Sequence, residues 1–206
     1  MSSVAIQGNA AGAGVFTIAS PNSASSYTAT LPQATTTLVG TDATQTLTNK
    51  TIQGGAITSG TAVASTSGTS IDFTSIPSWV KRITVMFNGV STSGTSFVIA
   101  QLGTGGAPTT SGYTGGVSQT SVYTTVTNGM GLSGHPDATY VRNGTITITN
   151  VTGNTWVSTA MCFLTVASGG TGAGAIALAG TLNMVRITTV GGTDTFDAGS
   201  INILYE

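Results

Sequence analysis

The sequence predicts an all-β protein in which an extended N-terminal arm precedes an antiparallel β-sandwich of the jelly-roll type. Short runs of β-branched and apolar residues alternate with clusters of Gly, Ser, Asn and Asp, the pattern of strands joined by turns. No segment carries a long apolar period of 3.6 residues with caps, and the helix formers Glu, Lys and Arg are scarce. These observations argue against helices as the main element.

The arm is predicted over residues 1–68 and the sandwich over residues 69–206. Apolar residues in the arm are few and small, and its extended pieces at Gly14–Ala19, Ser26–Leu31 and Thr36–Val39 offer little to bury. Such a segment does not offset its own ordering entropy. We therefore expect the arm to be ordered only against another subunit or an underlying partner surface.

Eight strands are predicted in the second part of the chain, each bounded by turn residues. Alternation is clearest in Ile83, Val85 and Phe87, as expected of a strand with one buried face. The predicted strands are Ser70–Phe73, Arg82–Phe87, Ser96–Leu102, Ser121–Val126, Thr145–Asn150, Trp156–Val166, Thr181–Thr189 and Ser200–Tyr205. Eight antiparallel strands fit a jelly-roll sandwich, and a closed sheet is the alternative architecture.

Two long connections, Gly103–Gly116 and Gly129–Tyr140, are the predicted exposed loops. Because loops often carry binding residues, Tyr113, His135 and Tyr140 are the candidate recognition residues. The glycine-rich stretch Ser168–Gly174 is predicted to be a flexible connection, since it lacks the Lys-Ser/Thr sequence of a phosphate-binding loop.

Charge is unusually scarce in this chain. Five basic and six acidic residues are the only charged side chains among 206, and the formal net charge is −1. Without a basic patch, neither nucleic acid nor an anionic membrane is an expected partner. The N-terminus lacks the basic flank and apolar stretch of a signal peptide, so we expect synthesis in the cytoplasm.

Residues with catalytic or metal-binding chemistry are few, and each has an ordinary structural explanation. Cys162 lies in an apolar run and is expected to be a buried, inert thiol. His135 has no serine with nucleophile-elbow spacing to pair with. Asp194 and Asp197 lack the further carboxylates of a calcium loop and are expected to bond to nearby backbone in a turn. We expect no enzyme activity, no metal and no cofactor.

Aromatic side chains offer one binding alternative. Tyr113, Tyr123 and Tyr140 could form a surface on which sugar rings stack. Tyrosines are also common at sandwich edges and subunit contacts. Ligand binding and subunit contact therefore remain open for these residues.

Two segments resemble known proteins. Residues 31–52 contain the core Thr46-Leu47-Thr48-Asn49-Lys50-Thr51-Ile52, and this segment resembles one that recurs in phage tail-fibre and virion surface proteins. The stretch from Ile71 to Val85, Ile-Asp-Phe-Thr-Ser-Ile-Pro-Ser-Trp-Val-Lys-Arg-Ile-Thr-Val, resembles a block common in phage structural proteins. The resemblance implies an intertwined homotrimer on the virion surface.

Within that resemblance, one short arm and one compact domain favour a head decoration or cement protein over a long tail fibre. The expected partner is the major capsid protein of the same phage, on the capsid exterior. The arm would dock especially through sizeable apolar residues of its three extended pieces, which are Val15, Phe16, Ile18, Leu31, Leu38 and Val39. The alternatives are a short tail fibre or receptor-binding tip that recognises a host glycan, and a capsule depolymerase with a site built across subunits.

Overall fold

A computed structural model of the chain describes Gly12 and residues 24–26, 57–119, 122–165 and 168–206. All regular elements in these residues are strands, and they form two packed antiparallel sheets, so the prediction of an all-β sandwich is confirmed. The described part of the chain contains no helix long and apolar enough to cross a membrane.

Fourteen strands lie within the described residues. They are β1 (Thr58–Ser59), β2 (Val63–Ala64), β3 (Ser70–Thr74), β4 (Arg82–Thr92), β5 (Val98–Thr104), β6 (Ala107–Pro108), β7 (Thr114–Gln119), β8 (Val122–Thr125), β9 (Met130–Gly131), β10 (Arg142–Thr152), β11 (Thr155–Leu164), β12 (Ser168–Ala177), β13 (Met184–Thr189) and β14 (Phe196–Tyr205).

The larger sheet has nine strands in the order β1-β14-β4-β10-β11-β12-β7-β8, and β2 also pairs with β14. Its centre, β10-β11-β12, is a meander of consecutive strands in unbroken register apart from a bulge near Asn150. The smaller sheet has five strands in the order β3-β13-β5-β6, with β9 also pairing with β5. This strand order supplies the detail that the sequence pattern left open.

The core lies between the two sheets because each long strand turns alternate residues inward. Strand β4 buries Ile83, Val85 and Phe87, while β11 buries every second residue from Trp156 to Leu164. From the smaller sheet, β3, β5 and β13 contribute apolar residues to the same cluster. Removal of this apolar surface from water is the main stabilising term of the fold.

Seven of the eight predicted strands are present with boundaries shifted by a few residues or extended, and the eighth appears as the short β8. The prediction of a flexible connection at Ser168–Gly174 is wrong, because these residues belong to β12 and pair with β11 along its whole length. Strand β7 was also not predicted; it begins inside the first predicted loop and extends three residues past its end. Both strands are rich in glycine, so they lack the side-chain pattern from which strands are predicted.

The glycines of β12 permit close packing. A Cβ atom on Gly172 would lie 1.9 Å from the carbonyl oxygen of Gly131, and one on Gly170 would lie 2.7 Å from Cβ of Ser133. The segment from Met130 to Gly134 therefore lies directly against the inner side of β12. This packing buries most of the second predicted loop, Gly129–Tyr140.

The paired strands begin before residue 69. Strands β1 and β2 pair with β14, and the buried Ser65 bonds to the backbone of β14 through its amide and its hydroxyl. The compact unit that holds the sandwich spans Thr51–Glu206. The described residues from Ile57 to Gly68 thus contact the sandwich, although the sequence had assigned them to the arm.

Candidate functional site

Arg142 organises the second predicted loop from inside the molecule. Its side chain is only 1% exposed at the start of β10, where its guanidinium donates hydrogen bonds to three backbone carbonyls. The acceptors are Tyr140 O at 3.1 Å, Asp137 O at 3.2 Å and His135 O at 3.3 Å. Burial lowers the pKa of Arg142, and the carbonyls rather than a carboxylate satisfy its donors.

His135 is buried, so the prediction that it lies exposed in a recognition loop is wrong. Only 6% of the residue is accessible, and its Nε2 atom lies 3.1 Å from the Ser168 hydroxyl. The nearest acid in sequence, Asp137, accepts hydrogen bonds from the amide and hydroxyl of Thr139, and these bonds lower its pKa. The Ser168–His135 contact thus joins β12 to the loop, and Asp137 does not complete a hydrolase triad.

Tyr140 packs partly buried beside this loop. Its ring centroid lies 5.8 Å from that of His135 with a tilted geometry, and its side chain contacts the core cluster. Its partial exposure leaves it the most accessible of the three predicted recognition residues.

Tyr113 is buried as well, which corrects the second prediction of an exposed recognition residue. It is 3% exposed, and its hydroxyl oxygen accepts a 2.7 Å hydrogen bond from the backbone amide of Leu102. The predicted loop Gly103–Gly116 holds β6 and the start of β7, which turn the ring into the core. Burial raises the pKa of Tyr113 to about 12.

Cys162 is buried as predicted. It faces the core from β11, and burial raises the pKa of its thiol to about 11. A thiol with so high a pKa is almost entirely protonated at neutral pH, and the thiol is a weak nucleophile.

The carboxylates serve structural contacts. Asp194 accepts a hydrogen bond from the distant backbone amide of Ser96 at 2.8 Å, and Asp197 accepts one from the hydroxyl of Ser91. Both bonds join distant segments, so the predicted bonds to nearby backbone are not what holds these side chains. Among the described residues, no group of three His, Cys, Asp or Glu side chains could hold a metal ion.

Five neighbouring strands of the larger sheet present an uncharged surface. We call the outward residues of these strands, β10, β11, β12, β7 and β8, the outer face. Directly opposite residues of antiparallel strands point to the same side, so the register defines cross-strand rows. One row is Thr145-Met161-Thr171-Ser118-Tyr123, and the next is Thr147-Thr159-Ala173-Gly116-Thr125. The outward residues of these five strands include no charged side chain.

Large apolar side chains stand exposed on this outer face. Tyr123 is 81% exposed, Met161 71% and Phe163 56%. Scattered exposed apolar residues are ordinary, but a cluster on one uncharged face is typical of an interaction surface.

A cavity of about 380 Å³ lies on the same sheet, where β12, β7 and β8 meet. We call it the Tyr123 groove. Its lining includes Gly116, Ser118, Tyr123, Thr125, Thr171 and Ala173. By residue type, Tyr123 is one of three tyrosines predicted to offer a stacking surface. Its place beside this groove follows from the pairing of β7 with β8 and β12.

The six predicted docking residues lie outside the described residues. These are Val15, Phe16, Ile18, Leu31, Leu38 and Val39. Their role therefore stays a prediction.

Comparisons with known proteins found no match to any protein-family model, curated protein or solved structure.

Proposed function

We propose that this protein is a non-enzymatic structural component of a phage particle, a trimeric decoration protein that docks on the head shell and stabilises it. The observation that carries the proposal is the segment Thr46–Ile52 within residues 31–52, which resembles a segment of phage virion surface proteins. The block from Ile71 to Val85 supports the same class.

The arrangement of the chain supports a head location over a tail location. A stretch with few large apolar residues precedes a sandwich domain in sequence. In the proposed particle the first part docks on the capsid and the sandwich projects outward. Binding to the assembled shell stabilises that shell, because a partner that binds only one state shifts the equilibrium toward it.

Scarce charge supports a role within an assembly. A monomer with so few charged side chains has little repulsion to keep it in solution, so subunit contacts and hydroxyl groups must cover its surface. The part of the outer face on β11, where Met161 and Phe163 are exposed, supports such contacts. The proposed assembly is a homotrimer, and light scattering that gives the mass of a folded monomer would rule it out.

Quantitative mass spectrometry of purified virions tests the location. For a decoration protein we expect a copy number approaching that of the major capsid protein. A copy number as low as that of tail components would instead place the chain in a short tail fibre or receptor-binding tip. That alternative has lost two of its predicted contact residues, since Tyr113 and His135 are buried.

A further inference from the structure

We propose that the Tyr123 groove is a binding site for a neutral saccharide. The groove is concave because the outward positions at its floor are small. Ala173 of β12 lies opposite Gly116 of β7, and Gly116 lies opposite Thr125 of β8. The neighbouring row carries the larger side chains of Thr171, Ser118 and Tyr123, which form a wall.

Close packing of the strands requires glycine at the floor of the groove, so no side chain fills it. A Cβ atom on Gly116 would lie 2.6 Å from the carbonyl oxygen of Thr124, and one on Gly115 would lie 2.3 Å from that of Ala173. A larger residue at Gly116 would push β7 away from β8, and a larger residue at Gly115 would push β7 away from β12. The depression is therefore built into the backbone. Its volume lies within the range of about 300–1,000 Å³ that is typical of small-ligand sites.

The lining matches a ligand with an apolar face and a hydroxyl rim. The ring of Tyr123 is 81% exposed, and among the described residues it has no aromatic partner. An exposed tyrosine offers an apolar ring face with a polar tip, on which the C–H face of a pyranose can stack. Ser118, Thr125 and Thr171 add hydroxyl groups that donate and accept hydrogen bonds.

Charge decides which saccharide the groove accepts. Neither the groove lining nor the outward residues of the five surrounding strands include a charged side chain. A carboxylate or phosphate on the ligand would thus lose water without gaining a cationic partner, which costs free energy. Neutral hexoses and their disaccharides fit the site better than sialylated, uronic or phosphorylated sugars. The inference concerns the sandwich alone and does not depend on the location of the chain in the particle.

The test is binding of the full chain to methyl glycosides of glucose, galactose, mannose and N-acetylglucosamine, and to maltose, cellobiose and lactose. Saturation-transfer NMR identifies binders, and titration gives the dissociation constants. We expect at least one of these sugars to bind with a Kd below roughly 10 mM. Sialyllactose and glucuronic acid are expected to bind no more tightly than their neutral counterparts.

Three variants localise the site, and a fourth is a control elsewhere on the surface. Tyr123→Ala should weaken binding by at least about tenfold, whereas Tyr123→Phe, which keeps the ring, should stay within about threefold of the original chain. Ala173→Leu fills the floor of the groove and should also abolish binding. Trp79→Ala removes an exposed aromatic residue elsewhere and should leave binding unchanged.

Three results would overturn the proposal. The first is the absence of binding to all seven neutral sugars, and the second is equal binding by the original chain and Tyr123→Ala. The third is dissociation of an oligomer by Tyr123→Ala, which would assign the groove to contacts between copies. The copy-number measurement on virions is independent of all three, so a failure here is distinguishable from a failure of the proposed decoration role.

Discussion

Arg142 is the one charged side chain that is buried among the described residues, and it acts as an internal brace. Its three hydrogen bonds to carbonyls hold the segment from His135 to Tyr140 against the end of β10. Buried carbonyls that lose a charged donor retain the full cost of their desolvation. The order of this loop therefore depends on the arginine in addition to the Ser168–His135 contact and the packing of Tyr140.

Replacement of Arg142 by alanine should lower the free energy of unfolding by about 3 kcal/mol, because it leaves carbonyls unsatisfied and opens a cavity. Arg186→Ala is the matched control. Arg186 forms a partly exposed ion pair with Asp72 at 2.6 Å, and its loss should cost below about 1 kcal/mol. Urea unfolding measures both values. Equal losses in the two variants would contradict the bracing role.

The buried hydroxyl of Tyr113 predicts a loss of stability in alkali. Its pKa is raised from 10.0 to about 12 in the folded chain, so at pH values between these two the unfolded chain releases a proton that the folded chain retains. Stability is then fully present below pH 10 and falls as the pH rises toward 12. The thiol of Cys162, raised from 9.0 to about 11, acts in the same direction from a lower pH.

Denaturant titrations from pH 8 to pH 11 test this effect. In Tyr113→Phe the fall above pH 10 should be shallower, while the stability at neutral pH should drop by about 1 kcal/mol because the Leu102 amide loses its acceptor. In Cys162→Ala the fall should begin at a higher pH. An unchanged pH profile in both variants would show that neither group carries the dependence.

At the scale of single elements, β12 shows how glycine can build a strand without a side-chain pattern. Gly170 and Gly172 allow the backbone from Gly131 to Gly134 to lie against the strand, whereas Gly169 on the same strand has ordinary space around its Cβ position. Overpacking at a backbone contact costs roughly 1–3 kcal/mol because neither side can yield without a shift of the strands.

Gly172→Ala should therefore destabilise the sandwich by at least about 2 kcal/mol. Gly169→Ala is the control on the same strand, and we expect it to stay within about 0.5 kcal/mol of the original chain. Thermal or urea unfolding gives both values. If the two substitutions cost the same, the close contact between Gly172 and Gly131 is not what fixes this strand.

The difference between a local side-chain pattern and a long-range contact explains which strands could be predicted from the sequence. In β4, alternation of Ile83, Val85 and Phe87 is local, so sequence alone identified the strand and its buried face. In β12 the glycines are required by a contact with a distant segment, so no local pattern identifies the strand. Burial of Tyr113 and His135 likewise depends on Leu102, Arg142 and Ser168, which short-range patterns do not reveal.

The candidate site was less predictable than the fold for a related reason. The row that joins Met161, Thr171 and Tyr123 crosses four strands, β11, β12, β7 and β8, and two of these, β12 and β7, were absent from the predicted strands. Tyr123 is a candidate by residue type, yet its neighbours follow only from the register of the sheet. Composition, by contrast, showed that charged residues are few, and the outer face carries none.

At the scale of the whole molecule, the sandwich has its own core, and the paired strands reach back to Thr58. Ser65 is fully buried and its hydroxyl bonds to the backbone of β14, so the fold requires this residue. A truncation that starts at residue 69 would remove β1, β2 and these bonds, whereas one that starts at residue 41 leaves them intact.

Deletion of residues 1–40 should consequently separate docking from folding. The six predicted docking residues are lost, and each could contribute roughly 1.5–3 kcal/mol if it is fully buried on the capsid. We expect the shortened chain to keep the thermal unfolding transition of its sandwich but to fail to decorate particles that lack this protein. Cosedimentation of purified chain with such particles measures attachment, and the full chain is the positive control. Attachment of the shortened chain at full-chain levels would move the docking surface to the sandwich, with the exposed Met161 and Phe163 as the next residues to replace.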